Sequence, residues 1–222
     1  MPPRKSKRGP LSRDEIIDAG LDLADEIGLE ALSLHKLGAR LGVSTMSLYR
    51  YIDDKDDLLD AMGDRLLTAI PLGDPTAEPW ESVLRRVARD FRTAAIGHPR
   101  AAPLLLTRRL NAPTLLPIVE IALAALEELG FDQDERVHVL RTFIAYLVGT
   151  LMRETGTAPS LAADNSSLIA SSEQALREAG LPHVAANAPQ LALCDHEAEL
   201  EYGLDLLIAA IHHKLQTKAA MS

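Results

Sequence analysis

Residues 37–62 read LGARLGVSTMSLYRYIDDKDDLLDAM, and the uneven charge in this stretch decides how the fold is interpreted. The surrounding segment 33–52 contains three Lys or Arg, one His and no acid, whereas four aspartates follow within residues 53–57. The whole chain of 222 residues carries a formal net charge of −9, so acids are plentiful elsewhere. An acid-free segment in such a chain is typical of a surface that lies against a polyanion, because carboxylates there would be repelled.

The spacing of apolar residues predicts a helix-turn-helix in this stretch. A helix capped by Ser33 ends at Gly42, because glycine adopts the positive φ of a turn most easily. Ser44 then caps a third helix that runs to about Tyr51. Gly38 allows these two helices to approach each other closely. The apolar residues expected to fix their crossing are Leu37, Leu41, Val43 and Leu48.

Further helices are predicted on both sides of the motif. Ser12 and Glu15 have the spacing of a capping box, which opens a first helix that ends at Gly28. Asp53 or Asp54 caps a fourth helix. The motif is therefore expected to lie inside a small helical domain.

The third helix presents side chains that can donate to phosphates or touch base edges, and none of them is negative. They are Ser44, Thr45, Met46, Ser47, Tyr49, Arg50 and Tyr51. Residues 1–13 add five Lys or Arg without an acid, and such a basic arm can follow the minor groove or the phosphate backbone. Each observation has a structural alternative, in which the two tyrosines pack in a core and the arm is a solvated terminus.

The rest of the chain favours an all-α protein of a reducing compartment. After a proline-rich break at 71–79, helical patterns recur at 80–97, 104–110, 115–129, 133–155 and 196–214. Residues 156–195 read as a long loop around one short helix near 172–179. The single cysteine, Cys194, excludes an internal disulfide and fits a cytoplasmic location. No apolar run reaches the roughly 18 residues that span a membrane.

Residues 12–65 resemble the DNA-binding domain of the tetracycline-repressor (TetR) family. The resemblance rests on the Leu-Gly-Val turn at 41–43, the Leu-Tyr pair at 48–49 and the Lys-x-x-Leu-Leu at 55–59. Tyr51 departs from the His that members commonly have, and Gly38 departs from Ala. The resemblance implies that bases are read by Thr45, Met46, Ser47 and Arg50, and that phosphates are anchored by Tyr49 and Lys55. It also implies phosphate or outer-base contacts for Ser33, His35 and Lys36, although His35 could equally be a plain solvent-facing side chain.

Residues 79–215 resemble, more weakly, the regulatory half of the tetracycline-repressor subgroup, through Trp80, HPRAA at 98–102 and ELGF at 128–131. The resemblance implies a helical domain that binds an effector in each protomer and pairs with a second copy through the helices at 133–155 and 196–214. The pattern agrees, because residues 139–152 are apolar on nearly all faces and need several neighbours. Gly149 would allow close approach, and the expected contacts are Tyr202, Leu206 and Ala209. An ordinary monomeric core is the alternative.

The expected effector pocket is mostly apolar and suits a hydrophobic or amphipathic small molecule. Its expected lining is Trp80, Leu84, Val87, Phe91, Leu104, Leu105, Phe143, Leu147 and Leu151, each of which could equally be plain core. The positions that correspond to the drug-chelating residues of tetracycline repressors hold Pro71, Val87 and Leu105. We therefore expect no tetracycline–magnesium sensing, and no metal or other cofactor. Glu154 alone does not restore a metal site, and the His212–His213 pair is expected to be solvated.

Catalytic motifs such as Gly-x-Ser-x-Gly, His-Glu-x-x-His and the P-loop are absent from the sequence, so we do not expect an enzyme. The predicted organisation is a basic arm over 1–11, a helix-turn-helix domain over 12–70 and a ligand-binding and dimerisation domain over 79–215. The favoured function is a homodimeric repressor that binds a palindromic double-stranded DNA operator and is released by a mostly hydrophobic effector. Helix four would carry the signal through residues 66–70. The alternatives are an activator or effector-independent DNA binder of the same fold, and a small-molecule carrier.

Overall fold

A computed structural model of the chain describes residues 11–74, 76–108, 112–158 and 173–221. Within these ranges the protein is entirely helical, which confirms the predicted all-α class. The predicted basic arm lies outside the described residues except for Leu11. The helices are α1 (Arg13–Ile27), α2 (Leu34–Leu41), α3 (Thr45–Leu48), α4 (Lys55–Thr68), α5 (Trp80–Gly97), α6 (Leu116–Glu127), α7 (Gln133–Glu154), α8 (Glu173–Glu178), α9 (Pro182–Leu191) and α10 (His196–Met221). Within the described part, no helix is long and apolar enough to cross a membrane.

The chain forms two compact units. The first contains Met1–Pro71 together with Thr93–Leu116, and the second contains Leu72–Arg92 together with Pro117–Ser222. Helix α5 therefore begins in the second unit and ends in the first. The domain ranges 12–70 and 79–215 remain predictions, and the structure adds that residues 93–116 group with the N-terminal helices.

In the first unit, the predicted local signals are present at the helix ends. Ser12 and Glu15 form a reciprocal capping box, and the Ser33 side chain caps α2. Gly42 ends α2 in the left-handed conformation with φ of 70°. A Cβ at Gly38 would lie 3.0 Å from the carbonyl oxygen of Val43, so glycine permits the tight turn between α2 and α3. The side chains at the centre of this core are fully buried: Ile16, Leu37, Leu48, Ile52, Leu58 and Met62.

Helix α3 is shorter than predicted. It ends at Leu48, and Tyr49 is its C-cap, whereas the sequence favoured an end near Tyr51. Both the Tyr51 and the Ile52 amides donate to the Leu48 carbonyl, at 2.8 and 3.0 Å. The chain therefore leaves α3 through a tight turn that returns Ile52 to the core.

The segment Thr93–Leu116 is joined to α1 and α4 by polar contacts. The Arg108 guanidinium donates to the carboxylates of Asp60 at 2.6 Å and Asp56 at 3.1 Å, both on α4. The Thr114 hydroxyl donates to the Asp64 carboxylate at 2.6 Å, one helical turn further along α4. At the end of α1, the Arg100 guanidinium donates to the Glu26 carbonyl at 2.7 Å, and His98 Nδ1 lies 2.7 Å from Asp25 Oδ2. These contacts explain why the segment groups with the first unit. Leu104–Arg108 adopts a π-helical turn, where the sequence predicted a helix over 104–110. Residues 109 and 110 of that predicted helix lie outside the described residues.

In the second unit, α7 and α10 cross closely. The Tyr146 hydroxyl on α7 donates to the main-chain carbonyls of Glu199 at 2.8 Å and Leu200 at 2.9 Å on α10. The tyrosine ring lies over Gly203, where there is no room for a Cβ. Burial raises the pKa of Tyr146, so the phenol remains a donor at neutral pH.

An array of ion pairs joins α5 to α7 and α10. Arg85 and Arg89 both pair with Glu201. Arg92 donates to both carboxylate oxygens of Glu154, whose side chain is 10% exposed. Glu154 is thus held as an ion-pair partner of Arg92, which explains its presence without a metal.

The prediction of a loop around one short helix at 156–195 is wrong for its last part. Helix α8 lies at Glu173–Glu178, close to the predicted helix, but Pro182–Leu191 forms a second helix, α9, that packs against α8. Pro182 stands at the first helical position, where proline is favoured because its missing N–H is not needed. The prolines, Asn187 and small residues here had indicated turns, whereas burial of Ala185 and Ala188 stabilises a helix. Residues 159–172 lie outside the described residues.

Candidate nucleic-acid interface and effector cavity

Helix α3 points its polar face outward from the first unit. Leu48 is fully buried, while the side chains of Met46 and Tyr49 are 74% and 48% exposed. Arg50 is also exposed, and its guanidinium carbon lies 5.8 Å from the centre of the Tyr51 ring, within cation–π range. The face can therefore offer an apolar side chain, a phenol and a guanidinium to a groove.

Two of the predicted site serines are occupied in capping. Ser44 Oγ accepts from the Ser47 amide at 3.3 Å and lies 2.9 Å from Ser47 Oγ. Ser33 Oγ accepts from the Lys36 amide at 3.3 Å. Their first role is therefore to fix the N-termini of α2 and α3.

The two predicted phosphate-binding lysines hold the loop between α1 and α2. Lys36 Nζ donates to the Ala31 carbonyl at 2.9 Å. Lys55 Nζ donates to the carbonyls of Leu29 at 3.0 Å and Glu30 at 3.4 Å, and its side chain is half-buried. Because an ammonium has three donors, each lysine keeps at least one that can bind a phosphate from a fixed position. His35 is exposed beside them.

The aspartates that follow α3 have partners inside the first unit. Asp54 caps α4 by accepting from the Asp57 amide at 2.8 Å, and Asp56 accepts from Arg108. Asp57 accepts from the Asp53 amide at 2.9 Å and from Arg13 at 2.8 Å. Burial of the Asp57 carboxyl acts to raise its pKa, but the Asp53 amide and the Arg13 guanidinium outweigh burial and lower the pKa below its ordinary value. Three of the four carboxylates, those of Asp54, Asp56 and Asp57, are thus tied to a cap or a cation.

A cavity of about 210 Å³ lies in the second unit among α5, α7 and α10. Its apolar lining consists of Leu84, Val139, Phe143, Leu204, Leu207, Ile208, Ala210 and Ile211. Three polar side chains also line it: His138, Thr142 and Lys214. Of the predicted pocket residues, only Leu84 and Phe143 line this cavity. Sequence reasoning missed the α10 residues because their periodic apolar face was interpreted as dimer interface alone.

The other predicted pocket residues have different positions. Within the second unit, Val87, Phe91, Leu147 and Leu151 are buried, and Trp80 is half-buried. Leu104 and Leu105 are buried in the first unit, because Thr93–Leu116 belongs there. The lining predicted from the sequence therefore stays a prediction, and the cavity is a separate structural candidate.

The histidines at 212 and 213 differ in their surroundings. The His212 ring lies 5.1 Å from that of Trp80, and its Nε2 is 3.1 Å from the Glu81 carboxylate, whereas His213 is exposed. His212 is exposed as well, with 49% of its side chain accessible, so both histidines face solvent as predicted. Among the described residues, no group of three or more His, Cys, Asp or Glu could hold a metal ion.

Helix α10 also carries large apolar side chains that are exposed among the residues that the structure describes. Tyr202 is 66% exposed and Leu206 is 57% exposed, with exposed Ala209 on the same side of the helix. On α7, Gly149 is exposed, and among the described residues no other element comes within 4 Å of the position that a Cβ would take. Contiguous apolar exposure of this kind marks an interaction surface.

Comparison with known proteins matches both halves of the chain. Residues 16–62 match the family of bacterial regulatory proteins, tetR family, and residues 72–215 match the family of tetracyclin repressor-like C-terminal domains. An HTH-type transcriptional regulator of Saccharopolyspora erythraea is 30% identical over 211 residues, which cover 95% of this chain and 89% of that protein. The HTH-type transcriptional repressor DrrR1 of Streptomyces coeruleorubidus is 33% identical over 153 residues, covering 66% of this chain and 56% of DrrR1. The crystal structure of a possible TetR family transcriptional regulator from Streptomyces coelicolor has a TM-score of 0.75 and 28% identity, covering 91% of this chain and 99% of that one.

Proposed function

This chain belongs to the TetR family of bacterial regulatory proteins, and we propose that it is a homodimeric repressor that is released from a palindromic DNA operator by a small, mostly hydrophobic effector. Membership of the family makes it a DNA-binding transcriptional regulator and not an enzyme. The repressor assignment is supported by the relative DrrR1, which is named as a repressor. As a regulator of bacterial genes it would act in the cytoplasm, where the DNA is.

The observation that carries the proposal is the exposed, acid-free face of α3. Thr45, Met46, Ser47 and Arg50 would read base edges, and Tyr49 would anchor a phosphate. Ser33, His35, Lys36, Ser44, Tyr51 and Lys55 would complete the contact surface, with both lysines oriented by loop carbonyls. Base reading by a short helix requires phosphate contacts beside it, and Lys36 and Lys55, which precede and follow α3 in the chain, would supply them.

A dimer is proposed because a single α3 reads only one half-site. The exposed Tyr202, Leu206 and Ala209 lie on one side of α10, and a second copy would cover them. Gly149 on α7 is also exposed and would allow close approach of a helix of that copy. A two-fold interface uses the same surface on both copies, which suits a two-fold operator.

The signal from the effector is proposed to reach the DNA-binding helices through residues 66–70 at the end of α4, which packs against the segment Thr93–Leu116 in the first unit. That segment holds α4 through Arg108 and Thr114, and α1 through Arg100. A ligand that binds one conformation of the protein more tightly shifts the population toward it, and α4 would pass that change to the helix-turn-helix. The change in DNA affinity equals the difference in effector affinity between the two conformations, typically about 1–3 kcal/mol.

Selection of bound duplexes from a random pool by the purified protein, at two salt concentrations, tests the proposed DNA reading. We expect an enriched inverted repeat whose half-sites are about one helical turn apart or slightly more. Variants of Tyr49 should weaken binding to all sequences, whereas variants of Thr45 or Ser47 should relax one position of the repeat. Salt-sensitive retention without any enriched sequence would contradict the proposal, because it would indicate generic phosphate binding.

The effector cavity is tested with matched pairs of small apolar carboxylates and their neutral amides, measured by thermal shift and by displacement from the selected duplex. We expect an apolar body to occupy the cavity and a carboxylate to bind Lys214 at its edge. Lys214→Ala should then lower affinity for the carboxylates about tenfold and leave the amides unchanged, since one charge-assisted hydrogen bond is lost. Lys218→Ala is the control, because Lys218 shares the partner Glu135 but does not line the cavity. Equal effects of both variants would contradict this placement of the effector.

A further inference from the structure

Arg13 belongs by sequence to the run of cations at the N-terminus, but its side chain is engaged within the first unit. Its Nη1 donates to the main-chain carbonyl of Tyr51 at 2.6 Å, and its Nη2 donates to the Asp57 carboxylate at 2.8 Å. Arg13 is the first residue of α1, Tyr51 follows the recognition helix α3, and Asp57 lies in the first turn of α4. One guanidinium therefore joins α1, the turn that follows α3 and the first turn of α4.

The carboxylate of Asp57 extends this connection. Its second oxygen accepts from the Asp53 amide, in the loop that leads from α3 to α4. The Asp57 amide donates to the capping side chain of Asp54. Both the turn after α3 and the start of α4 are thus fixed through Asp57.

Helix α3 spans four residues, so its own hydrogen bonds do little to set its direction. Leu48 fixes it from the core side, and the Tyr51 carbonyl is where the chain is held after it. A fork of two donors fixes both angle and distance between its acceptors, which a single ammonium does not.

From this geometry we propose that Arg13 and Asp57 are positioning residues that set the angle of the recognition helix, and that Arg13 does not serve as a phosphate contact. The inference rests on the proposed DNA-binding function and adds to it two residues outside the reading face. It also explains why a carboxylate is retained next to a surface for a polyanion. The negative charge of Asp57 is paired with Arg13. Removal of the Asp57 carboxylate would release both the Arg13 side chain and the turn after α3.

A phosphate contact and a positioning role predict opposite changes in operator affinity for the Asp57 substitution. If Arg13 contacted a phosphate, Arg13→Gln would weaken binding to every duplex and lower the slope of log affinity against log salt by about one. Asp57→Asn would then remove a repelling charge and tighten binding. If the pair positions α3, both substitutions weaken operator binding.

The experiment measures affinities of the wild type, Arg13→Gln, Asp57→Asn and the double variant for the duplex enriched from the random pool and for an unrelated duplex. We expect each single variant to bind the enriched duplex about tenfold more weakly, with less than a twofold change on the unrelated duplex and an unchanged salt slope. The double variant should be no weaker than either single variant, since both remove the same connection. Arg13→Lys should also lose affinity, although a phosphate contact would tolerate lysine.

Matched controls come from a second ion pair between the same two helices. Arg65 on α4 pairs with Asp18 on α1 at 3.0 Å, in the half of α4 away from the α3 exit. Arg65→Gln and Asp18→Asn should leave operator affinity within twofold, and thermal unfolding of all variants reports any general loss of stability. If the control variants lost as much operator affinity as the Arg13 and Asp57 variants, or if Asp57→Asn bound the operator more tightly, the inference would be overturned and the proposed function would stand. Failure of the wild type to enrich any duplex would overturn the proposed function as well.

Discussion

Replacement of Leu206 by Glu is expected to convert the protein to a monomer and to lower its affinity for the operator by a factor of roughly 100 or more. Leu206 is 57% exposed in a single copy, so the substitution should leave the folded protomer intact. Across a two-fold interface, the new carboxylate would be buried near its own counterpart. An unpaired buried charge costs about 3–5 kcal/mol, which is enough to separate the copies. Loss of the second half-site then lowers affinity by about 10² to 10⁴.

Sedimentation equilibrium and operator titration of the same preparations measure the two effects together. Leu116→Glu is the matched control, because Leu116 is 62% exposed at the start of α6 and lies away from α7 and α10 in sequence. The control should keep the oligomeric state and affinity of the wild type. A Leu206→Glu protein that sediments like the wild type would show that α10 does not form the interface.

Gly203→Ala is expected to destabilise the protein by about 2–4 kcal/mol, although alanine favours helices by about 1 kcal/mol over glycine. Gly203 lies inside α10, and a Cβ there would overlap the Tyr146 ring from α7. The ring cannot move away without losing its hydrogen bonds to the Glu199 and Leu200 carbonyls. The added methyl group must therefore separate α7 from α10 or displace the tyrosine.

Urea unfolding of Gly203→Ala, Tyr146→Ala and the double variant measures this conflict. The double variant should be more stable than the sum of the single effects predicts, because removing the ring frees the space for the Cβ. Gly97→Ala, at the end of α5 where a Cβ would meet no atom within 4 Å, should change stability by less than about 1 kcal/mol. Strict additivity of the two substitutions would contradict a direct contact between Tyr146 and Gly203.

The local signals of the first seventy residues predicted much of the first unit. The capping box at Ser12, the caps at Ser33 and Ser44 and the turn at Gly42 lie where the sequence placed them. Each depends on hydrogen bonds between residues three or four positions apart, so the chain carries the signal locally. Helix α9 was missed because it has no such side-chain cap. It starts at a proline, and its stability comes from burial of alanines.

The two candidate sites differ in the same way: one depends on neighbouring residues of the chain, and the other on helices that are far apart in it. The polar, acid-free composition of α3 is a property of the sequence, and it indicated a DNA-reading surface before any coordinates. The cavity could not be predicted, because its walls come from α5, α7 and α10, which are far apart in the chain. Leu104 and Leu105 were assigned to a pocket with Phe143, but they are buried in the other unit.

By itself, the sequence determined most of the helices, the caps of the first unit and the acid-free composition of α3, because these depend on residues that are neighbours along the chain. Only the tertiary structure decided the partners of the charges. Arg13 and Asp57 are 44 positions apart, and Arg108 and Asp60 are 48 apart. No local pattern pairs such residues, since their contact exists only after the apolar faces of α1 and α4 have packed and brought the side chains within hydrogen-bonding distance.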